Sequence, residues 1–288
     1  MPVLLFVRHG EAEHNAVLEA REFAPREVIE LFATSLEDPP LTARGVRQAQ
    51  HLAATLASLP DELQPTVVVA STQTRALQTA LIATATTVSG GGPRVIALEE
   101  VRERHGRWLC ERRRTRAALL ADPRLTPSRL DLRGIAEADP FWSPLDMETR
   151  SAAAGRADAA VQWLAARCGK SGVVLVVSHG GFLRSSMFDG ALLLRDRSGG
   201  EQLAALRQRA VQNCELRAVR LDEFAPGVTG RPRAELLFVQ QHDLLPGDTH
   251  AEVSDREAIA LRNMEKMWAF RGTVRNELVR IRTRRSAL

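Results

Sequence analysis

Two histidines each follow closely on a continuous apolar run, and the two runs lie far apart in the chain. Residues 3–7 read Val-Leu-Leu-Phe-Val and end two positions before His9, and residues 173–177 read Val-Val-Leu-Val-Val and end two positions before His179. Such runs are typical of buried parallel strands, and open α/β sheets bind their ligands at the carboxyl ends of the strands. We therefore expect both imidazoles at one edge of one sheet. A neutral imidazole nitrogen is nucleophilic near neutral pH, so this pair indicates phosphoryl transfer.

Cationic side chains at the same expected edge fit that chemistry. Arg8 precedes His9, and its planar fork of donors suits the charged oxygens of a phosphoryl group in transfer. Arg75 follows the apolar run 67–70 and falls in the first turns of a helix, where backbone N–H groups favour an anion. Taken singly, either arginine could be incidental. Asn15 could hydrogen-bond a phosphate oxygen or cap a turn, and both interpretations stay open.

Alternating strands and helices must position these residues. Apolar and alternating runs predict strands at 3–7, 67–70, 94–98, 173–177, 214–220 and 234–240. Helical spacing predicts helices at 41–59, 74–88, 152–167, 199–210 and 254–270, with Thr42 as N-cap of the first. The order favours an α/β fold, doubly wound, with a mostly parallel sheet and helices on both faces.

The domain organisation follows from the same pattern. We expect one α/β domain over residues 1–245, interrupted by a helical insertion at about 104–150 that is rich in arginine and proline. A basic helical C-terminal extension is expected over 246–288. Its apolar, capped helix could serve as a homodimer contact.

Composition excludes several classes of protein. The 288 residues are 44% hydrophobic, which suffices for one sizeable core. No apolar run approaches the roughly 20 residues that span a bilayer, and the first residues lack the basic and small-residue pattern of a signal peptide. The three cysteines are odd in number and have no metal-ligand spacing, which favours reduced thiols. We therefore expect a cytoplasmic protein.

The net charge of +4 is unevenly distributed. Residues 262–288 carry eight basic and two acidic side chains, so the remainder of the chain is net negative. We therefore expect no nucleic-acid binding by the body of the protein. The basic tail alone could contact anionic surfaces.

Four motifs occur in a fixed order along the chain. They are Arg-His-Gly-Glu at 8–11, Asp-Pro-Pro-Leu-Thr-Ala-Arg-Gly at 38–45 with Gln48 and Ala49, the Ser-Thr-Gln-Thr-Arg segment that opens 71–80, and Ser-His-Gly-Gly at 178–181. Together they resemble the histidine phosphatase superfamily, also called the phosphoglycerate mutase-like fold, over about residues 1–222. Residues 102–106, 110–114 and 213–217 are most similar to the plant and protist phosphoglycerate mutase-like proteins.

The resemblance implies a role for each residue of the expected site. His9 is the nucleophile and becomes phosphohistidine. Arg8, Arg75 and His179 line the phosphate pocket and stabilise charge on the transferring group. A carboxylic acid protonates the leaving oxygen and then activates water, as an alkoxide leaving group requires near neutral pH.

The candidates for that acid are three glutamates in one short stretch of the chain. The family pattern is an apolar residue, any residue, and then Glu, with Gly a few positions later. Glu103 fits the whole pattern because Val101 precedes it and Gly106 follows. Glu100 fits only the first half and is the alternative.

The remaining polar residues receive weaker interpretations. His14, His51 and His105 are expected to be structural or solvent-facing. Residues 112–114 are three arginines, which could bind a second anionic group of a substrate or form a solvated charge run. The chain contains no P-loop, zinc-ligand spacing or dinucleotide fingerprint, so we expect neither a metal nor an organic cofactor.

The sequence thus predicts a metal-independent phosphatase that hydrolyses phosphomonoesters. Its partner would be a small phosphorylated substrate, with phosphate as product, and residues 11–36 and 104–150 would determine its specificity. A phosphoglycerate mutase with the same chemistry is the first alternative, although the proline-rich stretch of the mutases is missing. An inactive binding module that uses the basic tail is the second.

Overall fold

Eight strands form one sheet in the computed structural model, which describes residues 1–19, 36–85, 92–106, 108–169, 171–196, 200–222 and 231–241. In chain order they are β1 (Val3–Arg8), β2 (Val67–Ser71), β3 (Val95–Leu98), β4 (Leu130–Asp131), β5 (Val173–Ser178), β6 (Leu193–Arg195), β7 (Leu216–Leu221) and β8 (Arg233–Gln240). The strand order is β4-β3-β2-β5-β1-β7-β8-β6. Only β7 runs antiparallel to its neighbours in this described sheet.

Helices connect these strands. They are α1 (Glu13–Glu19), α2 (Ala43–Ala57), α3 (Thr74–Ala83), α4 (Arg116–Leu120), α5 (Arg150–Cys168), α6 (Gly180–Phe182), which continues as a π-helix over Leu183–Ala191, and α7 (Glu201–Gln208). Single 3₁₀ turns lie at Asp61–Leu63, Glu99–Val101, Leu109–Glu111 and Pro127–Arg129. None of the described helices is long and apolar enough to cross a membrane.

The expected doubly wound α/β fold is confirmed, with differences of detail. The short strands β4 and β6 were not predicted, and the helix expected at 74–88 ends at Ala83. In its described residues, the insertion at 104–150 contains the five-residue helix α4, two 3₁₀ turns and the short strand β4. The helix expected at 254–270, the basic tail and the homodimer contact lie outside the described residues, and the domain division stays a prediction.

Strand β1 separates two apolar clusters. Successive side chains of a strand point to opposite faces, so Leu5 packs into the cluster that contains α2 and α3, and Phe6 packs into the one that contains α5. The ring of Phe6 meets that of Phe188 edge to face, with centroids 5.4 Å apart. A strand that is buried on both faces must be apolar throughout, which explains the unbroken runs of β1 and β5.

The register between β1 and β5 aligns their carboxyl ends. Val3 pairs with Val173, and the pairing continues to Arg8 and Ser178. The His9 backbone N–H then donates to the carbonyl oxygen of Ser178 at 2.9 Å. Because both strands end together, the residues that follow them lie side by side.

A buried carboxylate fastens the loop after β1 to α2. Glu11 is fully buried, and its carboxylate accepts from the Thr42 hydroxyl at 2.8 Å and the Arg44 guanidinium at 3.0 Å. Thr42 is the N-cap of α2, as expected, and accepts from the Gly45 N–H. A Cβ at Gly45 would lie 2.0 Å from the Glu11 carbonyl oxygen, so only glycine permits this close approach.

Gly45→Ala should therefore lower the free energy of unfolding by about 3 kcal/mol, because the backbone of α2 and that of the loop after β1 must move apart. Gly155→Ala is the matched control, since nothing lies within 4 Å of its Cβ position on the exposed face of α5. The control should be stabilised by roughly 0.5–1 kcal/mol. Urea unfolding of the two variants measures both effects, and equal stabilities would contradict the close contact.

Candidate active site

His9 is the centre of the site. Its Nδ1 lies 2.6 Å from the carbonyl oxygen of Gly10 and must carry the proton, since that oxygen can only accept. The lone pair then lies on Nε2, to which the Arg75 Nε–H donates at 3.3 Å. Burial, followed by the charges of Arg75 and Arg8, holds the pKa of His9 well below its ordinary value. The ring is therefore neutral near pH 7 and has a nucleophilic nitrogen available.

Arg75 supplies a buried positive charge beside that nitrogen. Its side chain enters from the first turn of α3, and one guanidinium N–H donates to the carbonyl oxygen of Cys110 at 2.9 Å. No carboxylate within the described residues forms a direct ion pair with it. Burial lowers its pKa, against the raising effect of Asp38, Glu103 and other nearby groups. A charge held by neutral acceptors is suited to binding an anion.

Arg8 is the last residue of β1 and directly precedes His9. One guanidinium nitrogen donates to the carbonyl oxygen of Val211 at 2.8 Å. A Cβ at Gly180 would lie 3.2 Å from the Arg8 Cδ and Nε, so a glycine at this position leaves room for the Arg8 side chain to pass the Gly180 backbone.

His179 faces His9, as the two strands predicted. The ring centroids are 4.9 Å apart, and the His179 Nε2 lies 2.7 Å from the Ser71 hydroxyl at the end of β2. Its Nδ1 is buried without a hydrogen-bond partner among the described residues. Burial, followed by the charge of Arg75, holds the pKa of His179 well below its ordinary value. The structure thus brings His9, Arg8, Arg75 and His179 together.

Glu103 also reaches this group. Its carboxylate accepts from the Gly181 N–H at 3.1 Å and from the Arg104 N–H at 2.9 Å, so it lies against the turn that follows His179. A Cβ at Gly181 would lie 2.7 Å from that carboxylate. In the described part of the chain, Glu100 joins the network only through its backbone carbonyl, which accepts from Arg156.

Asn15 holds its own turn. Its Oδ1 accepts from the Ala12 N–H at 3.1 Å, and its Nδ2 lies 3.1 Å from the Nε2 of His14. Of the two roles expected for Asn15, these contacts fit the capping of a turn. A role as a phosphate ligand stays a prediction.

His14 lies closer to the site than the sequence indicated. We expected it to be structural or solvent-facing, and its ring centroid lies 6.2 Å from that of His9. Burial and the charges of Arg75 and Arg8 hold its pKa well below the ordinary value. Its position in the first turn of α1, five residues after His9, is the sequence feature that could have indicated this proximity.

Glu111 is a buried acid near the site whose surroundings the sequence did not indicate. It directly precedes the three arginines at 112–114, and burial and the nearby charge of Glu103 raise its pKa to about 8. Its Oε2 has no hydrogen-bond partner within the described residues and lies 3.1 Å from the Cβ position of Gly106. The carboxyl group is therefore protonated near pH 7.

Two of the three consecutive arginines form ion pairs with carboxylates of the protein itself. Arg113 is buried and donates to the Glu99 carboxylate at 3.0 Å, and Arg114 contacts Asp38 and Asp122. Neither is placed to bind a second anionic group of a substrate. Arg112 is half-exposed and lies 4.9 Å from the centre of the Trp142 ring.

No group of three or more histidine, cysteine or acidic side chains that could hold a metal ion occurs in the part of the chain that the structure describes. A cleft of about 340 Å³ lies elsewhere, lined by Leu193, Arg195, Arg233 and their neighbours. It shares no residue with the site around His9.

A family model described as histidine phosphatase superfamily (branch 1) matches residues 4–230. No curated protein sequence matches the chain. The solved structure of a provisional alpha-ribazole-5′-P phosphatase from Escherichia coli K-12 is 20% identical, with 85% of this chain and 98% of that chain covered and a TM-score of 0.51. At this identity the likeness shows the fold alone.

Two further solved structures have TM-scores below 0.5, so nothing about this chain is concluded from them. A mycobacterial glucosyl-3-phosphoglycerate phosphatase in complex with VO3 is 23% identical, with 81% of this chain and 96% of that chain covered and a TM-score of 0.48. A mutant phosphoserine phosphatase from Entamoeba histolytica in complex with phosphoserine is 16% identical, with 85% and 100% covered and a TM-score of 0.47. None of these findings separates the plant and protist subgroup from the rest of the superfamily.

The raised pKa of Glu111 makes stability depend on pH. The folded chain holds this proton up to about pH 8, whereas the unfolded chain releases it near 4.5, so wild-type stability falls as the pH rises between these values. Glu111→Gln cannot ionise, so the variant should gain on the order of 3 kcal/mol relative to wild type between pH 5 and pH 8. Urea unfolding at both pH values measures the gain. The exposed Glu62→Gln is the control, and parallel pH profiles for wild type and Glu111→Gln would contradict the assignment.

Proposed function

This chain belongs to the histidine phosphatase superfamily, and we propose that it hydrolyses phosphomonoesters through a phosphohistidine on His9, without a metal ion. The observation that carries the proposal is the pair of hydrogen bonds made by the His9 ring, which places the proton on Nδ1. Its Nδ1–H donates to a carbonyl oxygen, so its lone pair lies on Nε2, where it accepts a hydrogen bond from the Arg75 guanidinium. A phosphoryl acceptor needs this state, since a protonated ring has no lone pair to offer.

The first step transfers the phosphoryl group to the enzyme. The Nε2 of His9 forms a bond to phosphorus as the bond from phosphorus to the ester oxygen breaks. Arg8, Arg75 and His179 hold the three equatorial oxygens, whose charge they stabilise. Glu103 enters this step in its acid form when the substrate is bound and donates its proton to the departing oxygen, which leaves as an alcohol.

The second step regenerates the enzyme. Glu103, now a carboxylate, takes a proton from a water molecule as the water oxygen attacks phosphorus. The bond from phosphorus to His9 Nε2 breaks, and phosphate leaves. Arg8, Arg75 and His179 stabilise the equatorial oxygens in both steps, because both transfers take place at His9.

The mutase alternative receives less support. A mutase must anchor a second anionic group of its substrate, and two of the three arginines considered for that role, Arg113 and Arg114, already bind carboxylates of the protein. The likeness to plant and protist phosphoglycerate mutase-like proteins therefore enters the proposal as a resemblance of motifs only. We extend the proposal to a cytoplasmic location, which three free, buried thiols support.

His9→Ala should abolish hydrolysis of an aryl phosphate measured with excess chelator, with a loss of at least about 10³-fold. Wild type should also retain acid-labile phosphate after a rapid quench, and the variant should not. His51→Ala, on the exposed side of α2, is the control and should remain active. Circular dichroism establishes that all three chains are folded. Full activity of a folded His9→Ala would refute the mechanism.

Glu103→Gln should slow hydrolysis of an alkyl phosphate by about 10²–10⁴-fold, because an alkoxide cannot leave without a proton. Hydrolysis of p-nitrophenyl phosphate should suffer far less, since its leaving phenolate is stable. Glu100→Gln is the matched control and should resemble wild type with both esters. A reversed pattern in the two variants would assign the proton donor to Glu100.

A further inference from the structure

The first turn of α1 contains a chain of hydrogen bonds that fixes the tautomer of His14. The Ala12 backbone N–H can only donate, so the atom of Asn15 that faces it at 3.1 Å is the amide oxygen. The Asn15 Nδ2 therefore faces the Nε2 of His14, at 3.1 Å. An amide N–H donates, so the His14 Nε2 must be the acceptor, and the proton of the neutral ring lies on Nδ1.

That Nδ1–H is a donor without an acceptor. The atom is buried and has no hydrogen-bond partner among the described residues. Leaving a buried donor unpaired costs free energy, and nearly all such groups in folded proteins find a partner. An unpaired donor beside an active site is therefore expected to pair with the ligand.

The surroundings of His14 indicate which ligand group this is. Its ring centroid lies 6.2 Å from that of His9, and the rings are tilted by 43°. The charges of Arg75 and Arg8 act on His14 as they act on His9, so the ring lies in the field that attracts the phosphoryl anion. Burial and this field together hold the pKa of His14 well below its ordinary value, so the ring is neutral.

We propose that the Nδ1–H of His14 donates a hydrogen bond to the phosphoryl group bound at His9, and that Asn15 holds His14 in the required tautomer. The inference rests on the proposed function, because it names a further ligand of the same phosphoryl group. His14 binds without adding positive charge, unlike Arg8 and Arg75. Asn15 is a positioning residue in this account.

Orthovanadate, which mimics a phosphoryl group and has no leaving group, is the probe for the His14 contact. Titration calorimetry in metal-free buffer should show that His14→Gln and His14→Phe weaken its binding about 10-fold or more, as loss of a hydrogen bond to a charged group predicts. His14→Asn places an amide N–H near the position of Nδ1 and should stay within about 3-fold of wild type. Wild-type affinity in His14→Gln and His14→Phe would overturn the proposal, as would equal losses in His14→Asn and His14→Phe.

The tautomer is tested without any ligand. Long-range proton–nitrogen correlation spectra of the labelled full chain should show His14 with its proton on Nδ1, with the signal assigned by its loss in His14→Gln. Asn15→Asp replaces the amide donor by an acceptor and should move the proton to Nε2. A wild-type Nε2–H tautomer would overturn the proposal, and so would an unchanged tautomer in Asn15→Asp.

The outcomes also separate this inference from the proposed function. If His9→Ala abolishes hydrolysis and His14→Gln still binds orthovanadate like wild type, the function stands and the His14 contact is wrong. If wild type itself binds no orthovanadate, both proposals are wrong.

Discussion

The parallel pairing of β1 with β5 is the constraint on which the site depends. Its register ends both strands at the same level, so His9 and His179 leave the sheet side by side. A slip of one residue would turn the side chains of β1 to the opposite faces, which both clusters of the core forbid. The apolar core therefore sets the distance between the two imidazoles, and no bond between the rings is needed to hold them.

Buried charge organises the rest of the site. Arg102 and Arg113 are fully buried and lie against carboxylates, at 2.7 Å from Asp139 and 3.0 Å from Glu99. Arg75 is equally buried but bonds to a ring nitrogen and a carbonyl oxygen. A buried cation without a counter-ion is costly. In the proposed mechanism the phosphoryl group supplies that counter-ion, while the paired arginines keep the insertion packed against β3 and hold Glu103 and Glu111 nearby.

Much of the fold and part of the site could be predicted from local pattern. The apolar runs of β1 and β5, the N-cap at Thr42 and the convergence of His9 with His179 all follow from short segments. The two- and three-residue strands β4 and β6 are too short to leave a pattern, and nothing in the spacing of residues 183–191 distinguishes a π-helix from an α-helix.

The surroundings of single residues could not be predicted, because they depend on segments distant in the chain. Arg113 looks like part of a solvated charge run, yet carbonyl oxygens of Ala136 and Ala138 hold it inside the protein. Glu111 owes its protonation to burial and to Glu103, and His14 owes its neutrality to burial and to Arg75 and Arg8.

The central position of β1 also bears on biosynthesis, since both of its neighbours, β5 and β7, are made more than 160 residues later. At about 5–20 residues per second, this apolar strand waits roughly ten seconds or more without a partner as it leaves the ribosome. An apolar strand left unpaired in this way is exposed to aggregation until β5 emerges.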